Sequence, residues 1–294
     1  MSTSSQTASP APTETAVPPE SPTPPSNPIP AHWRYTTTFL VIPLMALATA
    51  FFGSIAFVCA LWDRSGRQQH FIARQWARTL LALSFSPISV IGLEKLRPAP
   101  DPSHAANLAA SQAANHAASN ASQALLAVYA SNHLSYMDTP LLFARLPFQF
   151  RILAKADLFT IPFVGWYLRR SGQVSIDQES PRSAIAGLLR GVKTLQAGLP
   201  LFVFPEGGRT PDGRTQPMAS GCAFMAIRAQ VPLVPVALIG TYELLPIHVY
   251  HLHPRPLKMV IGDPIPTAGL TTRDAEALTA QLYAAITTMY FAHS

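Results

Sequence analysis

LLAVYASNHLSYMDTP, residues 125–140, is the stretch on which the fold turns. The run Leu125–Ala130 is too short for a core helix and fits a buried strand. Beyond it, Asp138-Thr139-Pro140 offers an N-cap candidate followed closely by a proline, a helix-opening signature. Strand, turn and helix in that order is the building unit of an α/β domain. His133 and Asp138 sit in the turn, and both cost free energy to bury without partners. Positions five apart on one helix stand about 140° apart around its axis. The two side chains therefore meet only if the chain turns between them. Asp138 would then accept a hydrogen bond from one ring nitrogen and leave the other as a base. That is the base-and-orienter half of a Ser-His-Asp arrangement, with a substrate hydroxyl in place of the serine. The plain alternative makes Asp138 a helix cap and His133 a satisfied turn residue, and an H-x4-D spacing alone favours it.

Working outward, FRILAK (150–155), GQVSID (172–177), PLFVFP (200–205), VPLVPVALIG (231–240) and KMVIGD (258–263) also read as strands. Between them, residues 181–197 place Ile185, Leu188, Leu189, Val192 and Leu195 on one helical face. Ser180-Pro181 opens that helix and Gly198 closes it. Residues 220–230 fit a further helix. The last helix starts at the capping-box spacing of Thr271 and Asp274 and repeats Ala275, Leu278, Leu282 and Ile286. The expected fold is α/β, a mixed sheet flanked by helices. Pro232 and Pro235 fit the ends of an edge strand or a shaped turn.

A second polar cluster follows PLFV. In FPEGGRT (204–210), Gly207 and Gly208 permit unusual backbone angles and close approach of a ligand. Glu206 and Arg209 stand at a strand exit, where α/β sheets place ligands. Arg209 can hold a phosphate through parallel hydrogen bonds. Alone, this is also compatible with a glycine-rich turn carrying a surface arginine.

Together and in order, these residues resemble the glycerolipid acyltransferase family, specifically the 1-acylglycerol-3-phosphate (lysophosphatidic acid) acyltransferases. NHLSYMD resembles the family's N-H-x4-D block. LAKADLFTIPFVGWYLRRSGQVSID (153–177) resembles its second block, FPEGGRT the F-P-E-G-T-R block, and VPLVPV (231–236) the V-P-x-x-P-V block. The similarity covers about 123–265. It implies that His133 is the general base toward the free hydroxyl of a lysophospholipid and that Asp138 orients its imidazole. It implies that Arg209 and Lys155 bind the acceptor's phosphate, that Glu206 and Gly207 shape that site, and that Asn132 and Gly208 support the loops. The donor would be acyl-CoA or acyl carrier protein as co-substrate, with no cofactor, acyl-enzyme or metal required. The pattern also departs from the family: Gln178 stands where arginine is usual, Gly208 where threonine is usual, and Met218-Ala219 replaces a phenylalanine-lysine pair. These departures leave the acceptor headgroup open.

Composition bears on where such a protein works. Of 294 residues, 48% are apolar and 12% charged, with a net charge of +6. Ordinary soluble domains carry about 25% charged residues, so the skew points to membrane contact. A basic surface suits anionic headgroups or phosphorylated substrates. No basic run with interleaved aromatics is present, which argues against nucleic acid. Residues 1–34 form a Pro/Ser/Thr-rich tail expected to be disordered. Residues 35–62, uncharged and bracketed by Trp33 and Trp62, are expected to be a transmembrane helix. The alternative is a long helix lying in one leaflet. Arg64, Arg67, Arg74 and Arg78 follow the segment, so positive-inside reasoning places the catalytic domain on the cytoplasmic face. Residues 63–96 read as an interfacial amphipathic segment, 97–122 as an Ala/Ser/Asn-rich insertion, and 123–294 as the acyltransferase-like domain.

Cys59 and Cys222 are too few for a disulfide framework and fit packing roles. His104 and His116 lack ligand spacing, and His248, His251 and His253 read as a surface cluster, not a metal site. The leading expectation is membrane-bound acyl transfer to the sn-2 hydroxyl of lysophosphatidate, giving phosphatidate in phospholipid biosynthesis. The alternatives are the same chemistry on glycerol-3-phosphate or another lysolipid, and a catalytically silent membrane lipid-binding module.

Overall fold

A computed structural model describes residues 30–63, 65–97, 125–177, 179–210 and 212–294. The expected tail (apart from its last residues), the insertion and Gln178 lie outside the described residues. Seven strands form one sheet: β1 (Ile88–Ile91), β2 (Val128–Ser131), β3 (Arg151–Lys155), β4 (Val174–Ile176), β5 (Leu201–Val203), β6 (Leu233–Ile239) and β7 (Leu257–Ile261). Their order is β1-β7-β6-β2-β5-β3-β4. β6 and β7 pair antiparallel and every other neighbouring pair is parallel, so the sheet is mixed as expected. β2 lies between β5 and β6, and all four of its residues are buried. That central position is why its sequence is a continuous apolar run instead of an alternating one.

Helices cover both faces. On one, α2 (Ile42–Cys59), α3 (Arg67–Leu83) and α4 (Asp138–Arg145) bring Met45, Ala77, Leu81 and Leu141 against Tyr129, Phe150 and Phe202. On the other, α6 (Pro181–Gln196), α7 (Gly221–Ala229) and α9 (Ala275–His293) pack Leu195, Met225, Leu282 and Ile286 against Val128, Val203 and Ala237. The short α1 (Ala31–Thr36), α5 (Val164–Arg170) and α8 (Thr241–Leu244) complete the α-helices among the described residues. The capping signals act as read: Ser180 Oγ accepts from Ser183 N at 3.2 Å, and Thr271 with Asp274 forms a capping box.

Four expectations change. The expected interfacial segment 63–96 holds α3 and then β1, which joins the sheet by pairing with β7. The α/β unit therefore starts before residue 123. On α6 the buried face is Gly187, Gly191, Val192 and Leu195, whereas Ile185 and Leu189 are exposed. The two glycines let the helix approach closely: a Cβ on Gly191 would lie 2.3 Å from Met225 Sδ. Pro235 stands in a central strand, not at an edge. Leu233 N–H donates to Ile265, and residues alternate along a strand, so the N–H that Pro235 lacks would face the β7 side. There the β7 ladder has ended at Ile261, and Gly262 N–H donates to the Pro235 carbonyl instead. Finally, the apolar helix ends at Cys59, not Trp62, and starts at Ala31 through a π-helical turn at Thr37–Val41. The wider turn sits just before Pro43, whose ring excludes a regular bond to the preceding turn.

The N-terminal helices are tied to the sheet. Asp63 accepts from the backbone N–H groups of Ser65, Gly66, Gln68 and Gln69, capping α3. Beside that cap, the buried Arg151 donates from Nη2 to the Ser65 carbonyl at 2.9 Å. The continuous apolar helix Ala31–Cys59, of which α2 is the main part, is tied to the body near both ends and midway. Thr38 Oγ1 donates to the Tyr250 carbonyl at 3.2 Å, Trp76 Nε1 donates to Thr49 at 3.0 Å, and Arg170 Nε donates to the Ala60 carbonyl at 2.9 Å.

Candidate active site

β2, β5 and β3 are neighbours running parallel, so the residues following them gather at one edge of the sheet. The chain leaves β2 at Ser131 and turns through residues 132–137 before α4 begins. This turn is built around one carboxylate. Asp138 Oδ2 accepts from Leu134 N at 2.7 Å, Ser135 N at 2.8 Å and His133 Nδ1 at 2.9 Å. Asp138 is the first residue of α4, not its N-cap, and its side chain reaches back into the turn. Pro140 follows in the first turn, where backbone N–H groups have no helical partner anyway. Asp138 is fully buried.

Because Nδ1 faces Asp138, the imidazole has one nitrogen left. Nε2 has no hydrogen-bond partner among the described residues. Phe204 stacks on the ring, with centroids 3.8 Å apart and planes 17° from parallel. Asn132, the preceding residue, is buried and donates from Nδ2 to the Leu238 carbonyl at 2.9 Å. Its Oδ1 accepts from Leu238 N–H, also at 2.9 Å, so the side chain pairs with β6 like a short strand. The base of the loop is thereby fixed to the sheet.

The second cluster closes on the first. Glu206 Oε1 accepts from His133 N–H at 3.2 Å, which joins the two loops directly. Burial pushes the Glu206 carboxyl up to about 8, and hydrogen bonds from the backbone of Gln216 and His133 offset only part of that. Its Oε2 is buried without a hydrogen-bond partner. Gly207 has φ 72°, the left-handed region, and its N–H donates to Phe204, forming the turn that presents the following residues. Arg209 Nε donates to the Ser135 carbonyl at 3.1 Å, and its guanidinium lies 4.7 Å from the centre of the Tyr136 ring. Both Nη groups are without a partner among the described residues.

Lys155 ends β3 next to this loop. A Cβ on Gly208 would lie 3.9 Å from its Nζ, an ordinary contact, so a side chain's first carbon is accommodated at 208. Lys155 also lines a cavity of about 230 Å³ shared with Asp157, Ile176, Asp177 and Glu179. All eight singled-out residues thus fall on one side of the sheet. Sequence reading gave no role to Phe204, Tyr136 or Ser135, which set the attitudes of His133 and Arg209. Two of them lay inside quoted blocks as aromatic residues, but aromatic character alone does not say which neighbour a ring meets. His251 and His253 stack at 5.0 Å, remote in sequence from any carboxylate ligand, and no metal-binding cluster occurs among the described residues.

Residues 113–239 match the Acyltransferase family model. That stretch, which includes His133, Asp138, Lys155, Glu206 and Arg209, is similar to an acyltransferase domain. Curated relatives include the 1-acyl-sn-glycerol-3-phosphate acyltransferase LPAT1, chloroplastic, of Arabidopsis thaliana, 31% identical over 212 residues, covering 72% of this chain and 50% of the relative. The chloroplastic BAT2 enzyme of the same name from Brassica napus is 32% identical over 187 residues, covering 63% and 47%. The chain thus spans about half the length of these relatives. Among solved structures, the crystal structure of the 1-acyl-sn-glycerophosphate (LPA) acyltransferase PlsC from Thermotoga maritima shares the fold. It aligns with TM-score 0.64 at 22% identity, over 87% of this chain and 95% of that one.

The raised Glu206 carboxyl predicts a pH-dependent stability. The folded chain holds the Glu206 proton more tightly than the unfolded chain, whose carboxyl has its ordinary value of 4.5. The resulting stabilisation is complete below about 4.5 and is lost as pH rises toward about 8. Across that window stability falls by up to about 1.4 kcal/mol per pH unit from this group. Glu206→Gln is expected to remove this slope. Urea midpoints of both proteins from pH 5 to 8 check it, and parallel curves would contradict it.

Proposed function

We propose that the protein transfers an acyl chain from a thioester to the free sn-2 hydroxyl of lysophosphatidate, giving phosphatidate. The observation that carries this reading is the 2.9 Å contact of His133 Nδ1 with buried Asp138, which leaves Nε2 without a hydrogen-bond partner among the described residues. Nε2 takes the hydroxyl proton as the acceptor oxygen attacks the thioester carbonyl. The tetrahedral intermediate then expels the thiolate, which recovers the proton from the imidazolium and leaves as thiol. Asp138 holds the tautomer and stabilises the imidazolium, as the third member of a hydrolase triad does. The thioester is already activated, so no covalent enzyme intermediate enters the scheme. Acyl-CoA and acyl carrier protein both provide such a thioester.

The acceptor's phosphate is assigned to Arg209 and Lys155. The relatives' names and the unpartnered Nη groups of Arg209 support that assignment. Glycerol-3-phosphate or another lysolipid is the competing acceptor, because Gly208 lacks the hydroxyl that the family's threonine would bring to this loop. A panel of lysophosphatidate, glycerol-3-phosphate and lysophosphatidylcholine, offered with acyl-CoA to membranes carrying the protein, tests the reading. Lysophosphatidate should give the highest kcat/KM; preference for either other acceptor would reassign the substrate. Arg209→Lys loses both the Nε tie and the guanidinium that lies over the Tyr136 ring. It is expected to raise the acceptor KM about tenfold or more with little change in donor KM. An unchanged acceptor KM would remove Arg209 from the phosphate site.

The protein is read as membrane-associated, with α2 lying in one leaflet instead of crossing. This reading takes the one-leaflet alternative over the crossing one on a geometric ground. A helix of 29 residues, Ala31–Cys59, is about 43 Å long. It is anchored to the same α/β body near both ends, through Thr38 and through Ala60. A crossing helix would carry one of those anchors to the far side of the bilayer. Its outward side chains, among them Phe39, Leu47 and Phe51, are exposed and apolar. Without a crossing, loop charges no longer set the side of the membrane. The cytoplasmic placement then rests on the thioester donor and on two cysteines that form no disulfide.

A further inference from the structure

We infer that residues 158–166 form a second membrane-inserting element, separate in sequence from α2 and seated in the acyl-chain layer of a phospholipid bilayer. The inference rests on the reading of α2 as a helix embedded in one leaflet. Leu158 to Leu168 contains no charged residue. Phe163 is 78% exposed, and Leu158, Ile161 and Val164 are exposed beside it. Phe163 also has φ 62°, a region that a bulky side chain enters only when the surroundings impose it. The imposition is visible: Val164 N–H donates to Pro162, Gly165 N–H to Ile161 and Tyr167 N–H to Phe163. Gly165 is pressed against Phe159, where a Cβ would lie 2.0 Å from the carbonyl oxygen. The turn is therefore a stiff mount that holds an apolar ring outward, and nothing among the described residues covers that ring's exposed face.

The occupant follows from continuity. Phe57 of α2 lies 4.2 Å from the Trp166 ring and 6.4 Å from the Phe163 ring, centre to centre. The exposed apolar face of α2 thus runs on into this turn through Phe57, Val58, Leu61 and Trp62. A surface that is one with a lipid-facing helix faces the same lipid. Trp62 and Trp166 then sit at the level favoured by interfacial aromatics. Lys155 lies three residues before Leu158, at the end of β3, so insertion of the turn sets the depth of a lysine assigned to the acceptor's phosphate.

The test uses the full chain with Cys59→Ala and Cys222→Ala, spin-labelled at Phe163→Cys, in vesicles of phosphatidylcholine and phosphatidylglycerol. Leu47→Cys on α2 and Glu276→Cys on α9, which covers the opposite sheet face, are labelled in parallel. The inference expects oxygen to relax the label at 163 more than a water-soluble nickel chelate does, as at 47 and opposite to 276. A label at 163 that behaves like 276 while 47 is immersed overturns the inference and leaves the α2 reading standing. Aqueous behaviour at both 47 and 163 overturns the reading beneath it. Spin–spin broadening at 163 that vanishes on dilution with unlabelled protein indicates a second copy of the chain there, and also overturns it. As a second readout, Phe163→Asp should lower the vesicle partition coefficient of the intact chain about tenfold or more; an unchanged coefficient counts against insertion.

Discussion

His133→Ala is expected to lower kcat for acyl transfer by about 10²–10⁴-fold, the usual contribution of a positioned general base. The acceptor KM should change little, since the groups assigned to the phosphate are Arg209 and Lys155. The substitution removes a side chain whose Nδ1 and ring face are both occupied, by Asp138 and Phe204. Some stability loss therefore accompanies it, and the melting temperature must be measured beside the rate. Steady-state kinetics at saturating donor separate the two parameters. A folded variant with kcat within threefold of wild type would remove His133 as the base.

Asp138→Asn is expected to cost on the order of 10⁴ in kcat, the scale of the corresponding substitution in a Ser-His-Asp hydrolase. The carboxylate serves three donors at once, and an amide keeps an acceptor for them while losing the charge that stabilises an imidazolium. Asparagine is the informative choice, because alanine would strand the Leu134 and Ser135 N–H groups in a buried turn. Each stranded donor costs about 1–3 kcal/mol, so alanine would confuse loss of fold with loss of chemistry. The amide nitrogen of asparagine would take the place of Oδ1, which is buried without a partner. A modest stability loss is therefore expected together with the rate loss. If kcat fell no more than about tenfold, Asp138 would be a turn-forming residue only.

Much of the fold was legible because its signals are local. Six strands were marked by short apolar runs, and the ends of α6 and α9 by side-chain capping groups. β1 was hidden because Ile88–Ile91 continues an apolar stretch begun by α3, and four residues carry no clear period. The buried face of α6 was misread because it is built on Gly187 and Gly191, and glycine does not register as apolar periodicity. Pro235 misled for a related reason: a proline is tolerated in a central strand when the neighbouring ladder has already ended, and that depends on β7. The site divides along the same line. Asp138 and His133 were readable as a pair because only five positions separate them. The stacking of Phe204 and the Tyr136–Arg209 contact bring together loops from different strands, which no spacing encodes. The orientation of α2 was likewise set by anchors from Tyr250 and Arg170, far along the chain.

Direct transfer, with His133 activating the acceptor, is tested most sharply by following a radiolabelled acyl thioester through one turnover. Labelled thioester is mixed with the full-length protein in vesicles, with and without lysophosphatidate, and quenched in acid. The label should enter phosphatidate only when acceptor is present, should never remain on the protein, and should stay in the thioester when His133 is alanine. Labelled protein in the absence of acceptor, or undiminished phosphatidate from the folded His133→Ala chain, would contradict the account.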